Sequence, residues 1–465
     1  MKTSLLSPSS LHLRRATLLF LGALCGVVAI AACSATPTLS GTTVGSVLGL
    51  DAGESSDGAT TQNGSDGGQT IAVNLDAGNA DSGGPVVEVQ IGTLSGRVFA
   101  PNGRLPIAGA LVYLSRTKPG PIPQQAYCDK CVDTGRASAG TLTKSDGRFE
   151  LKTYGEGIQY LVTQKGQFRR VRQVQITAGA MTTAEENTTF PSRTSGDDTA
   201  PLMAVVAAEA NGYDRIEGAL EKMGITQYDI ITSQNALSFV QSSTQMQKYH
   251  VVFLPCGAGG VANCGDDRMA AASTKSALRS FVASGGKLYV TDFSYEYLNQ
   301  AWPGYTNWTA QKQGVISVPP FGEVAGPDWS KDGRGVACSP GGWNGEAKFN
   351  DPGIASWLTQ SDVIGSGTVT LDGNYAVMAS VNTVTGKDEN GASVLITPKV
   401  WTEGKKDGTF IPATISFQDT CGRVLYSSYH TEPSEEGGNT AGKLTAQEAS
   451  LLYILLEVNS CVGVQ

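Results

Sequence analysis

The chain has 465 residues, of which 34 are Lys or Arg, 42 are Asp or Glu and only three are His; 40% are hydrophobic. Length and hydrophobic content are typical of a globular protein with two or three domains. The net charge of −8 argues against nucleic acid and anionic lipid headgroups as general partners. Since His12 lies in the N-terminal signal described below, only His250 and His430 remain, which excludes a metal centre built on three or more histidines.

Residues 1–33 have the pattern of a bacterial export signal. Lys2, Arg14 and Arg15 precede an apolar run, which ends in two alanines and Cys33. This ending resembles the bacterial lipobox, in which the cysteine is acylated and becomes the new N-terminus. An uncleaved transmembrane helix and ordinary signal cleavage are the alternatives, but the small residues directly before the cysteine favour lipidation. We therefore predict that residues 1–32 are removed and that the lipid on Cys33 attaches the chain to a membrane.

The segment after Cys33 is predicted to be a disordered tether, residues 33–90. Asp51–Gly84 contains six acids and no Lys, Arg or aromatic residue, so it has too little apolar surface to offset chain entropy. Ser34, rather than an acid, follows the cysteine, which resembles outer-membrane sorting in bacteria with two membranes. The expected location is the cell envelope, anchored in the outer membrane. Removal of residues 1–32 changes the net charge from −8 to −11, since three basic residues and no acids are lost.

Short alternating strands over residues 91–180 predict a small antiparallel β-sandwich. Thr93–Phe99 and Ala110–Leu114 are predicted to pair, and an Asp-Gly turn divides Thr143–Leu151 into two strands. The Ser-Gly-Arg-Val start, the Ile-Ala-Gly-Ala-Leu-Val segment and the Thr-x-x-Asp-Gly-x-Phe motif resemble the carboxypeptidase regulatory-like domain. That resemblance implies a prealbumin-like sandwich without catalysis of its own.

After a polar linker, residues 181–200, strands alternate with helices, which predicts a parallel sheet with right-handed crossovers. The predicted strands are Leu202–Ala207, Tyr228–Thr232, His250–Pro255, Lys287–Phe293 and Arg423–Ser428. Two helices are predicted that contain Ile216 and Leu278, respectively. A last helix is predicted to begin with a Thr445/Glu448 capping box.

Four segments of this half resemble the class I glutamine-amidotransferase-like fold and its ThuA-like branch. They are Tyr249–Gly257, Phe281–Asp292, Val400–Trp401 and Gly422–His430. The resemblance covers residues 201–300 and 395–465 and implies a flavodoxin-like α/β domain, residues 201–465, with an insertion at 301–394. Amidotransferases carry a nucleophilic cysteine on a sharp strand-to-helix turn. Here that turn, Val290–Tyr295, contains no cysteine, so amidotransferase activity is not expected.

The candidate site lies at the carboxyl end of the predicted sheet, where such folds bind ligands. Asp292 follows a central strand, and three roles are open to it: a base, an acceptor for a sugar-like hydroxyl, or the N-cap of the next helix. His430 and Glu432 follow another strand and are predicted to reach the same crevice, with Tyr295 nearby. Acid–base catalysis by Asp292 and His430 is the less favoured hypothesis, and His250 is expected to be structural.

Disulfides are the expected state of most other cysteines in an oxidising compartment. The simplest pairings are Cys128 with Cys131, Cys256 with Cys264, and Cys421 with Cys461, which leaves Cys338. The CxxC at Cys128 lacks the two further ligands that a zinc site needs. We therefore predict no metal site and no cofactor.

The function expected from these features is that of a lipid-anchored envelope protein, a non-catalytic module that binds a ligand, a glycan or another protein. An envelope hydrolase that uses Asp292 and His430 is the alternative, and a scaffold with no ligand is a third. Aromatic residues of the insertion would stack on sugar rings if exposed, but ordinary core packing is the favoured interpretation. They are Trp302, Tyr305, Trp308, Trp329, Trp343 and Trp357.

Overall fold

The computed structural model describes residues 70–71, 89–128, 140–207, 214–258, 271–308, 338–361, 369–431 and 444–458. These residues all belong to one compact unit, Gly64–Gln465. The predicted signal peptide, Cys33 and most of the predicted tether lie outside the described residues. Within the described ranges, no helix combines the length and the apolar character needed to cross a membrane.

The chain is rich in strands. The strands are β1 Thr70–Ile71, β2 Gly92–Arg97, β3 Leu111–Ser115, β4 Gly140–Leu142, β5 Arg148–Thr153, β6 Gly157–Lys165, β7 Phe168–Ile176, β8 Gly179–Thr182, β9 Met203–Val206, β10 Tyr228–Ile231, β11 Val251–Leu254, β12 Lys287–Thr291, β13 Thr306–Trp308, β14 Cys338–Phe349, β15 Thr370–Ala376, β16 Met378–Val381, β17 Val384–Lys387, β18 Ser393–Ile396, β19 Lys399–Lys406, β20 Thr409–Asp419 and β21 Gly422–Ser427. The helices are α1 Ile216–Lys222, α2 Ser233–Val240, α3 Ser243–Met246, α4 Ala272–Ala283, α5 Tyr295–Ala301, α6 Pro352–Gln360 and α7 Ala446–Val458.

The N-terminal part consists of a five-stranded sheet, β1-β4-β3-β6-β7, and a three-stranded sheet, β5-β2-β8. Side chains alternate between the two faces of each strand. Val112 and Leu114 therefore contribute to the core that also contains Leu94 and Phe149 of the smaller sheet. Leu111 and Tyr113 lie in a separate buried cluster on the other face. Both faces of β3 are thus covered.

Two details of the predicted pairing are wrong. The two strands that the sequence predicts as partners, β2 and β3, lie in different sheets. Strand β2 pairs with β5 and β8, whereas β3 pairs with β4 and β6. The Asp146-Gly147 turn is present, with Gly147 at a φ of 77°, but it joins strands of different sheets. Local turn chemistry identified the bend, while the choice of partner strand depends on distant contacts. Thr70–Ile71 lies inside the predicted tether and yet pairs with Gly140–Leu142, because these two β-prone residues can extend the sheet edge.

The C-terminal part contains a nine-stranded sheet of order β10-β9-β11-β12-β21-β20-β19-β14-β15. The first five strands are parallel, as the alternation of strands and helices predicts. The remaining strands run antiparallel. All four residues of β9 and of β11 are buried, which is typical of central parallel strands.

The two parts share one hydrophobic core, which includes Val112 and Met203 together with Leu452 and Tyr453 of α7. The predicted capping box is confirmed, since the Thr445 backbone N–H donates to Glu448 Oε2 at 2.6 Å. Helix α7 is buried on more than one side, because Leu452 and Ile454, which point in different directions from the helix axis, are both buried. Each such aliphatic side chain contributes roughly 1.5–3 kcal/mol when it leaves water.

The segment 181–200, predicted as a polar linker, is packed against the fold. Phe190 is 2% exposed and stacks on Phe168, with 5.6 Å between ring centroids. Asp198 accepts two hydrogen bonds of 2.8 Å from Arg172. Polar composition predicted a loop, but single buried anchors hold it in place.

The predicted cysteine pairings are wrong for the cysteines that the structure describes. Cys128 forms a disulfide with Cys421 across 293 residues of sequence, and not with Cys131. Cys256 is a free, buried thiol, so it does not pair with Cys264. Cys131, Cys264 and Cys461 lie outside the described residues. Short sequence spacing favoured the local pairs, but the tertiary fold brings Cys128 to the β20–β21 turn.

Most of the aromatic residues of the insertion are core anchors, which confirms the favoured interpretation. Four of the six are 1–9% exposed, Trp308 is half-buried, and Trp329 lies outside the described residues. The four are Trp302, Tyr305, Trp343 and Trp357. No sugar-stacking role follows from these side chains.

His250 joins the two parts of the fold. Its Nδ1 accepts a 2.8 Å hydrogen bond from the Leu202 backbone N–H, and its Nε2 is 2.8 Å from the Pro123 carbonyl oxygen. These partners require the neutral ring with the proton on Nε2. Burial lowers the pKa of His250 to about 4 against the weaker opposing effect of the Pro123 carbonyl, and Lys287 lowers it further. The expected structural role is consistent with these contacts.

The stability of the fold is therefore expected to fall as the pH drops from about 6.5 to about 4. In this window the unfolded chain binds a proton at His250 and the folded chain does not. The contribution of the neutral His250 to the free energy of unfolding is therefore fully present above pH 6.5 and decreases by about 3 kcal/mol as the pH falls to about 4. Urea unfolding of the wild type and of His250→Gln across this range checks the prediction. The variant should show a shallower decline, and equal slopes for the two proteins would contradict it.

Candidate functional site

Asp292 occupies the sharp turn between the central strand β12 and the helix α5. Its φ is 42°, a left-handed conformation that Asp tolerates better than most residues but that still costs about 1–2 kcal/mol. Strained residues of this kind persist where the surroundings determine them, often at functional sites. The side chain is completely buried.

The Asp292 carboxylate binds strand β15 rather than a helix. Its Oδ1 accepts hydrogen bonds from the backbone N–H of Tyr375, at 3.0 Å, and of Ala376, at 2.8 Å. The N-cap role is therefore wrong: neither the turn at Asp292–Ser294 nor α5 has a side-chain cap. Through these bonds β15, the last strand in the sheet order, reaches back over the carboxyl end of β12.

His430 meets the other carboxylate oxygen. Its Nε2 lies 2.8 Å from Asp292 Oδ2, and the His430 side chain is 9% exposed. The two atoms are close, yet they are not aligned for a hydrogen bond of ordinary geometry. The ring stacks on Tyr375 with 5.8 Å between centroids, and Gln447 donates a 2.8 Å hydrogen bond to the His430 carbonyl oxygen.

Cys256 is the third member of the cluster, and sequence analysis assigned it to a disulfide instead. It follows β11, and its backbone N–H donates to Thr291 Oγ1 at 2.9 Å. The Cys256 thiol sulfur, one Asp292 carboxylate oxygen and one His430 ring nitrogen all lie within 4.8 Å of one another. The order β11-β12-β21 could have indicated this convergence, because parallel strands bring their carboxyl ends to one edge.

The three groups perturb one another's ionisation. Burial raises the pKa of the Asp292 carboxyl, and His430 and the two amides oppose that effect. Burial acts to lower the pKa of His430, but Cys256 and Asp292 outweigh it and hold that pKa well above its usual range. Burial raises the pKa of the Cys256 thiol, while contact with His430 opposes it. The pKa of each of the three groups is thus raised, so each favours its protonated form more than it would in water.

Asp214 supports the site, and no sequence motif identified it. This buried carboxylate accepts a 2.5 Å hydrogen bond from Thr291 Oγ1 and a 2.9 Å bond from the Thr431 backbone N–H. It thereby ties the end of β12 to the residue after His430. Because these partners are 77 and 217 residues away, local sequence gives no signal for the contact.

The remaining predicted residues are not placed in this cluster. Tyr295 is completely buried, and its ring packs on Trp308 with 4.8 Å between centroids. Glu432 lies outside the described residues. The cluster is therefore Cys256, Asp292 and His430, three groups able to hold a proton, to ligate a metal or to fasten β15. Only the last of these roles uses both hydrogen bonds that Asp292 Oδ1 accepts from β15.

No family model matches this chain, and no curated protein matches it. Among solved structures it aligns with a putative ThuA-like protein from Parabacteroides merdae ATCC 43184 at 13% identity, over 56% of this chain and 87% of that one, with a TM-score of 0.30. A putative ThuA-like protein from Bacteroides uniformis ATCC 8492 aligns at 8% identity, over 57% and 94%, with a TM-score of 0.27. A β-galactosidase from Bacillus circulans sp. alkalophilus aligns at 15% identity over 55% of this chain, with a TM-score of 0.25, and the match spans 30% of the length of that enzyme. Likenesses of this size carry no argument about the fold, substrate or partners of this chain.

Proposed function

We propose that the chain is a lipid-anchored cell-envelope protein whose folded part binds a ligand, a glycan or another protein without catalysing a reaction. One observation carries the proposal: the Asp292 carboxylate is completely buried, and its Oδ1 is committed to the amides of Tyr375 and Ala376. A general acid or base must come within hydrogen-bond reach of the proton that it transfers. Asp292 instead uses its contacts to hold β15.

The proposed anchor rests on the sequence, on the apolar run that ends at Cys33. Palmitate labelling of cells that express the full chain tests it: the wild type should incorporate label, and Cys33→Ala should not. Equal labelling of the two would contradict the proposal. Residues 91–180 are proposed as a carboxypeptidase regulatory-like domain and 201–465 as an amidotransferase-like, ThuA-like domain, on the motifs quoted above.

The alternative is a hydrolase, which the 2.8 Å approach of His430 to Asp292 favours. Incubation of the wild type, Asp292→Asn and His430→Gln with nitrophenyl esters, nitrophenyl glycosides and glutamine separates the two proposals. We expect no difference between the three proteins. Turnover by the wild type that disappears in both variants, while their near-ultraviolet circular dichroism remains native, would overturn the non-catalytic proposal.

A further inference from the structure

The cluster of Cys256, Asp292 and His430 has the composition of a metal site. It presents one thiol, one carboxylate and one imidazole, all within 4.8 Å of one another and all buried. The three residues follow β11, β12 and β21, which are neighbours in the sheet. Ligands on separate rigid strands are held in place by the fold and need little reorganisation to bind an ion.

Two atoms of the cluster are paired only with each other. Asp292 Oδ2 and His430 Nε2 are buried and lie 2.8 Å apart as an ion pair, but they are not aligned as in an ordinary hydrogen bond, and among the described residues neither atom makes another one. A cation in contact with both atoms would satisfy them, since coordination depends on lone pairs and not on the direction of an N–H bond.

The donor types select the class of cation. Sulfur and nitrogen ligands favour zinc and related first-row ions, while magnesium and calcium prefer oxygen. A thiolate and a carboxylate also neutralise a divalent ion, so the cluster would carry no net charge when buried. Bond lengths of about 2.0–2.3 Å place ligands of a tetrahedral zinc roughly 3.3–3.8 Å apart. The observed separations, from 2.8 Å between His430 Nε2 and Asp292 Oδ2 up to at most 4.8 Å in the cluster, lie on both sides of this range.

We propose that Cys256, Asp292 and His430 bind a divalent ion of the zinc class. The ion ties together the carboxyl ends of three neighbouring strands, and through Asp292 it also stabilises the position of β15. Three protein ligands leave a position for a water molecule. This inference goes beyond the proposed binding function and does not depend on it, since the fold brings the three ligands together whatever the partner of the protein is.

The test uses the full chain, loaded with zinc and then freed of loose metal by gel filtration. Elemental analysis should find close to one zinc ion per chain in the wild type. Cys256→Ser preserves size and should weaken zinc binding by more than the roughly 10–100-fold that loss of an outer-shell partner causes. Substitution with cobalt gives a second readout: a thiolate-to-cobalt charge-transfer band in the wild type that Cys256→Ser lacks.

His250→Gln is the matched control for His430→Gln, because both remove a buried histidine and only one belongs to the cluster. We expect His250→Gln to retain zinc at neutral pH and His430→Gln to lose it. A wild type that retains no zinc, or zinc retained equally in Cys256→Ser and His430→Gln, would overturn the proposal. If a variant fails to fold, the presence or absence of the cobalt charge-transfer band in the wild type still decides whether a thiolate binds the ion.

Discussion

Replacement of Asp292 by alanine is expected to lower the free energy of unfolding by about 3–5 kcal/mol, the usual effect of removing one partner from a buried ion pair. The variant leaves the backbone amides of Tyr375 and Ala376 and the ring of His430 without their partner. It also places alanine at a φ of 42°. Asp292→Asn should lose less, because asparagine tolerates this conformation and its carbonyl can still accept from the two amides. Urea unfolding followed by tryptophan fluorescence, with a chelator present, measures the effect.

Asp407→Ala separates backbone strain from the buried contacts. Asp407 also has a left-handed φ, 51°, but its side chain is 86% exposed. We expect this control to cost no more than the strain of about 1–2 kcal/mol. Equal losses in Asp292→Ala and Asp407→Ala would show that the contacts to β15 and His430 contribute little.

Gly285→Ala is expected to cost about 3–5 kcal/mol, which combines a left-handed backbone with overpacking. Gly285 has a φ of 98°, and a Cβ there would lie 1.8 Å from the Tyr127 carbonyl oxygen and 2.7 Å from the Cys128 nitrogen. The backbone at Tyr127 cannot easily move away from the new Cβ, because the next residue, Cys128, is held by its disulfide to Cys421. Thermal or urea unfolding of the purified variant gives the measurement.

Gly304→Ala provides the matched control for this substitution. Gly304 has nearly the same φ, 92°, and a Cβ there would meet no atom within 4 Å. It should therefore lose only about 1–2 kcal/mol. If the two variants lose the same amount, backbone conformation alone explains the effect and the close approach to Tyr127 is unimportant.

The positions of several strands and helices were predictable from the sequence. Runs such as Met203–Val206 and Val251–Leu254 are continuous apolar segments, and the structure places them as buried parallel strands. The capping box at Thr445 likewise marks the start of the last helix. These features depend on residues within a few positions of one another, so a local pattern is sufficient to predict them.

The pairing of strands and of cysteines was less predictable from the sequence. The pairing of β2 with β5 and β8 and the disulfide between Cys128 and Cys421 both differ from the local expectation. Sequence spacing favours neighbours because closing a short loop costs less entropy. In the folded chain, the burial of a shared core outweighs this preference. The spacing of residues along the chain does not show which segments will be buried together.

At the candidate site, the sequence by itself determined that Asp292 and His430 follow strands of a parallel sheet, and hence that they lie at the same edge. Only the tertiary structure decided that Cys256 joins them as a free thiol and that Asp214 ties the site together. It also decided that Asp292 is sealed beneath β15. The physical reason is that strand ends follow from local hydrophobic pattern, whereas burial and side-chain contact depend on segments that are distant in the chain and meet only after folding.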